Sequence, residues 1–87
     1  MPEERENLAV KLLRYILENI VDHPEDLQIE KTIDDLGVLI KLQPHKNDMG
    51  KIIGKNGQTI KSIRNLIRTI GKKDNQRINL KILEANE

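Results

Sequence analysis

Residues 52–60, Ile-Ile-Gly-Lys-Asn-Gly-Gln-Thr-Ile, constrain this chain more than any other stretch, because two glycines interrupt a pattern that reads as helix on both sides. One continuous helix is ruled out, and the break leaves a loop that a bulky ligand can approach closely. Glycine has no Cβ and adopts positive φ at little steric cost, so bare backbone at Gly54 and Gly57 can press against a phosphate chain. Lys55 adds a positive charge between them. The helix expected to start at Gln58 would aim its first N–H groups, and the positive end of its dipole, at the same place.

Hydrophobic periodicity places six elements around this loop. From residue 3 to 21, Ala9, Leu12, Leu13, Ile16, Leu17 and Ile20 recur at helical spacing as one apolar stripe. Pro24 is expected to end that helix, since the residue before a proline avoids the helical region. Leu27, Ile29 and Ile33 at odd positions predict a strand with Lys31 as an interruption, Asp34-Asp35-Leu36-Gly37 predicts a turn, and residues 38–43 predict a returning strand. On that second strand Val38, Ile40 and Leu42 share a face, and Pro44 stops it. Asn47 or Asp48 suits the N-cap of a short helix through Ile53. Beyond the loop a helix is expected from residue 58 to about 70, with Ile60, Ile63, Leu66, Ile67 and Ile70 as its buried stripe and Gly71 at C′. Lys61, Arg64 and Arg68 occupy a different face, a cationic ridge leading away from the loop. Residues 77–83 alternate again, with Ile78, Leu80 and Ile82 on one face.

The order is therefore α-β-β-α-α-β, without internal repeat or linker. At 87 residues the chain makes one domain, spanning 1–87 with a core from about residue 5 to 84. Such a domain buries roughly 60% of its unfolded surface. It has no cysteine, hence no disulfide framework and no thiolate metal site. The start, Met1-Pro2-Glu3-Glu4-Arg5-Glu6, is not a signal peptide, and no apolar run approaches the ~18 residues of a membrane span, so a cytoplasmic location is expected.

A net charge of +1 conceals a strong asymmetry. Residues 1–36 carry four Lys/Arg against ten Asp/Glu, a net of −6, whereas residues 37–77 carry ten against two, a net of +8. The positive charge clusters around the glycine loop, and the acidic remainder discourages indiscriminate sticking, which suits selective polyanion binding. Among phosphate-binding motifs, a nucleotide P-loop fails, because Gly50 and Gly54 enclose three residues instead of four and Lys55 is followed by Asn56. A dinucleotide fingerprint fails too: residue 52 is isoleucine and helix, not strand, precedes the loop. Catalysis finds little support. His23 and His45 lie on separate connections beside prolines and read as solvated, and Glu25-Asp26 and Asp34-Asp35 read as turn carboxylates, with no apolar pocket to raise a pKa. Neither an enzyme, nor a metal, nor a cofactor is expected. The single aromatic, Tyr15, is far in sequence from the loop, which disfavours the folds that stack bases on aromatic platforms.

The element order, with Gly54-Lys55-Asn56-Gly57 joining two helices, resembles the KH domain, in which a Gly-x-x-Gly loop clamps the backbone of about four nucleotides. The resemblance covers almost the whole chain and is of the type II arrangement. In Val21-Asp22-His23-Pro24-Glu25 and Asp48-Met49-Gly50-Lys51-Ile52-Ile53-Gly54-Lys55 it is similar to small bacterial single-KH proteins of the KhpA type. It implies an α+β fold, a three-stranded sheet with three helices on one face, and single-stranded RNA as the ligand. By the same resemblance Gly54 and Gly57 admit sugar-phosphate, Lys55 and Asn56 supply a charge and an amide, Ile52, Ile53 and Ile60 form an aliphatic groove floor, and Lys51, Lys61 and Arg64 are rim cations. It further implies a role as RNA chaperone or post-transcriptional regulator, with a second KH-containing protein of the Jag type, or self-association, as partner. The competing expectation is an assembly subunit that keeps a KH-like fold while docking a partner protein.

Overall fold

The computed structural model describes residues 2–73 and 75–83, with side chains from residue 8 onward. Among them, α1 (Pro2–Glu18) leads into the hairpin β1 (Gln28–Asp34) and β2 (Gly37–Gln43), followed by α2 (Met49–Ile53), α3 (Gln58–Lys73) and β3 (Ile78–Ile82). The sheet order is β1-β2-β3, antiparallel between β1 and β2 and parallel between β2 and β3. A parallel pair needs a crossover, which α2, the glycine loop and α3 provide, so the loop sits within the connection that closes the sheet.

α1 ends before Pro24 has any influence. The Asn19 side-chain amide donates to the Tyr15 carbonyl at 2.7 Å, and the Asn19 and Ile20 N–H groups bond three residues back, to Ile16 and Leu17, which tightens the last turn and stops it. The hairpin turns on Asp35 and Leu36 alone, because Asp34 still pairs with Gly37. Asp34 Oδ1 accepts the Leu36 N–H at 2.8 Å, the local bond that makes aspartate a turn residue. Lys31 lies on the core side of β1 opposite Ile40, between Ile29 and Ile33, and is half-buried.

Helices cover one face of the sheet. Ala9, Leu13 and Leu17 of α1, Ile52 of α2, and Ile60, Ile63 and Ile67 of α3 meet Val38, Ile40, Leu42, Ile78 and Leu80 in one core. Two expected stripe residues fall outside it: Leu12 is 37% and Leu66 53% exposed. Each sits at the margin of its helix's apolar arc, where neighbouring elements do not reach.

α3 also runs past Gly71, which is buried in the helix instead of capping it. The C′ position belongs to Asn75, at φ 57°. Gln76 N–H bonds to Gly71 O at 2.8 Å and Asn75 N–H to Lys72 O at 3.1 Å, the paired bonds of a Schellman cap. Gly71 is needed for a different reason: a Cβ there would lie 2.7 Å from Gln76 O and 2.9 Å from Ile78 Cγ1, where the chain folds back into β3.

Candidate nucleic-acid interface

The loop is a single tight turn. Gly54 stands at φ 78°, ψ 174°, its N–H capping α2 through Gly50 O at 2.8 Å. Lys55–Gly57 then form one 3-10 turn in which Asn56 (φ 55°) and Gly57 (φ 74°) are left-handed, and Gly57 N–H returns to Gly54 O at 3.2 Å. Three of the loop's four residues thus have positive φ. Asparagine tolerates that region better than most side chains, which gives Asn56 a backbone role beyond the amide it displays. The Gln58 N–H bonds to Lys55 O, so the first of the N–H groups expected to face a ligand is already engaged within the loop.

Lys55 and Asn56 are exposed. Lys61, one turn into α3, leans back over the loop, with its Cε 4.0 Å from where a Gly57 Cβ would stand. Arg64 follows on the same side, half-buried, its Nε donating to the Leu80 carbonyl at 3.2 Å. That carbonyl lies on the outer edge of the sheet: Leu83 N–H pairs inward with Leu42 O, and in a parallel strand alternate residues face opposite sides. Arg64 therefore ties α3 to β3 as well as presenting charge. Lys51 is the exception among the expected rim cations, since its ammonium pairs with the Asp22 carboxylate.

Of Ile52, Ile53 and Ile60, expected as an aliphatic floor, Ile53 alone keeps appreciable accessible surface. Ile52 is fully enclosed and Ile60 only 6% exposed, both packed in the core, while Ile53 is half-buried beside the loop. Periodicity finds apolar positions but not which of them a neighbouring element covers.

The two histidines are not independent solvated residues. Their rings stack at 4.1 Å, and His23 Nδ1 lies 3.3 Å from Asp48 Oδ2, so it is this nitrogen that carries the hydrogen. Asp48, 1% exposed, also accepts the N–H groups of Asp22 at 3.1 Å and His23 at 3.0 Å. It stands at the N-cap position of α2, but its carboxylate caps the distant connection between α1 and β1 instead. Burial pushes the carboxyl up; the two backbone N–H groups and the His23 ring more than offset this and hold it below its ordinary value. His45 Nδ1 accepts the Asn47 N–H at 3.0 Å, so it bears no hydrogen. No sequence signal links residues 22–23 to 45–48; only the fold brings these connections together, at the start of α2. Among the described residues no group of His, Asp or Glu is arranged to hold a metal ion, and no helix is long and apolar enough to cross a membrane.

An α-β-β-α-α-β fold, a mixed sheet and a Gly-x-x-Gly turn between α2 and α3 define a KH domain of type II. The family profile described as KhpA/KhpB, KH domain, matches residues 10–82. RNA-binding protein KhpA of Chlamydia pneumoniae is 40% identical, over 85% of this chain and 95% of its own. The Listeria monocytogenes protein of the same name is 40% identical, over 85% and 97%. That of Halalkalibacterium halodurans is 36% identical, over 84% and 96%. The chain belongs to the KhpA/KhpB family of KH domains.

Proposed function

We propose that this chain is a single-stranded RNA-binding module that acts as one unit over residues 1–87, in the cytoplasm, as an RNA chaperone or post-transcriptional regulator without catalytic activity. The observation that carries this reading is the loop: three positive φ angles fold it into one tight turn on which Lys55 and Asn56 are exposed, with Lys61 leaning over Gly57. The name RNA-binding protein KhpA, borne by relatives that align along nearly their whole length, supports it. Gly54 and Gly57 let sugar-phosphate approach, Lys55 and Lys61 meet phosphate charge, Asn56 offers an amide, and Ile53 gives a base an aliphatic surface. With no aromatic platform, grip is modest, salt-dependent and tolerant of sequence.

Changing Lys55 and Asn56 together to Asp tests the reading without disturbing the turn, because aspartate also tolerates left-handed backbone. Circular dichroism and melting temperature should stay near wild type while RNA retention is lost. Unchanged retention would overturn the assignment.

A second reading, contact with another KH chain, is favoured by one observation: Leu8, Leu12 and Tyr15 make an exposed apolar row on α1. Weak binding by one small module also makes a linked second module useful. In this reading another copy of the chain, or a Jag-type protein, docks on that row. Sedimentation should then show a mass that rises with concentration, or on adding the Jag-type protein, and Leu12→Glu should abolish the rise. A constant monomer mass under both conditions would refute it.

A further inference from the structure

The cationic side of α3 does not stop where the loop needs it. Lys61, Arg64, Arg68 and Lys72 recur at spacings of three and four, so they line one side of the helix from the loop to its far end. There, between the last turns of α3 and the start of β3, lies a cavity of about 620 Å³. Its walls carry three cations, Arg68, Lys72 and Arg77, and three amides, Asn75, Gln76 and Asn79. Among the described residues no carboxylate or aromatic is in this lining, and no described carboxylate forms an ion pair with any of the three cations.

That chemistry selects a ligand class. Guanidinium, ammonium and amide donors suit phosphate oxygens, and without a ring to stack on there is little for a base to hold. The negative end of the α3 dipole points here, but it amounts to about half a charge against three full cations. With α3 rising ~1.5 Å per residue, the cavity walls at Arg68 and Lys72 stand roughly 15 to 21 Å along the helix from Gln58, where the loop ends. A strand held only at the loop, over about four nucleotides, does not fill it.

We propose that this cavity is a second phosphate-binding site, which takes downstream or upstream backbone phosphates of the same RNA strand that the loop clamps, with Lys61 and Arg64 bridging the two. The inference rests on the reading of the loop given above and extends the RNA path along the whole of α3. Binding energy would then rise with RNA length, each added cation contributing by counterion release whatever the sequence.

The test uses the double variant Arg68→Gln/Lys72→Gln, both side chains exposed on α3, and two RNAs. One is about four nucleotides long, the span a KH loop clamps; the other is about twelve, within the range single-strand-binding domains cover. Wild type should bind the longer RNA at least about tenfold more tightly, and the variant should lose most of that gain while binding the shorter RNA as before. The salt slope for the longer RNA should fall by about 1.4, or ~0.7 for each phosphate contact removed. Equal wild-type affinity for both lengths, or a variant that keeps the gain, overturns the second site and leaves the loop reading intact. Equal weakening on both RNAs also overturns it, because overall charge would then be the cause. Binding of the longer RNA alone, lost in the variant, supports the cavity and overturns the loop. No binding at either length overturns both.

Discussion

Gly54 and Gly57 close the two ends of one four-residue turn, yet a methyl group added to each meets different surroundings. At Gly54 it would overlap the Thr59 side chain and come within 2.9 Å of the Thr59 amide nitrogen, whereas at Gly57 it would meet only the far end of the Lys61 side chain, at 4.0 Å. Both substitutions carry the cost of positive φ, about 1–3 kcal/mol, and Gly54, at ψ 174°, stands in a region that essentially only glycine adopts. Only Gly54→Ala adds overpacking, a further ~1–3 kcal/mol. Urea denaturation should therefore show Gly54→Ala as the more damaging by at least about 1 kcal/mol, and equal losses would refute this account of the turn. The loop's polar and glycine positions were legible in the sequence because they follow from residue type. The left-handed backbone of Asn56 and the burial of Ile52 were not, since the first depends on how α2 enters the turn and the second on what α2 packs against.

At the scale of an element, α3 inverts a familiar rule. Alanine is a better helix former than glycine by about 1 kcal/mol, so Gly71→Ala inside a helix would ordinarily stabilise. Here a Cβ lies 2.7 Å from backbone at Gln76 and 2.9 Å from Ile78, neither of which can retreat without opening the α3–β3 corner. Overpacking of ~1–3 kcal/mol should win, giving a net loss of about 1 kcal/mol and a melting point lower by several degrees. A raised melting point would show that the corner yields. The element order could be read from sequence because periods of two and of 3.6 residues differ plainly. The ends of α1 and α3 could not: Asn19 and Asn75 stop these helices, and an asparagine reads as a stop only when its partners, Tyr15 O and Lys72 O, are in place. Nor does a repeat of apolar residues say that β2 and β3 run parallel; that follows from a crossover long enough to return the chain to the same end of the sheet.

For the molecule as a whole, the two connections on one side of the core are joined by a single buried carboxylate. Asp48 binds the backbone of Asp22 and His23 and the His23 ring, His45 stacks on that ring, and Lys51 pairs with Asp22 above it. The same carboxylate borders α2, which leads into the glycine turn, so its state bears on both fold and site. Because its folded pKa is depressed, its contribution is fully present above the unfolded value, about 3.9, and is lost as pH falls through the folded one. Asp48→Asn removes the charge but keeps the shape, and leaves one of the two N–H donors poorly matched. Hydrogen bonds to a charged acceptor are worth about 1.5–3 kcal/mol each, so at pH 7 the variant should be less stable than wild type by about 2 kcal/mol or more. As pH falls below the unfolded value, about 3.9, and through the lower folded one, the two stabilities should converge. Urea midpoints followed from pH 7 to 2 distinguish the outcomes, with His23→Ala as a control that deletes the ring and leaves both backbone bonds. A gap that stays constant across the range would mean that Asp48 stabilises through packing and not through its charge. A gap that closes while His23→Ala retains most of the pH dependence would assign the effect to the backbone N–H groups of residues 22 and 23, which would make Asp48 a cap for a segment of chain 25 residues away from it in sequence.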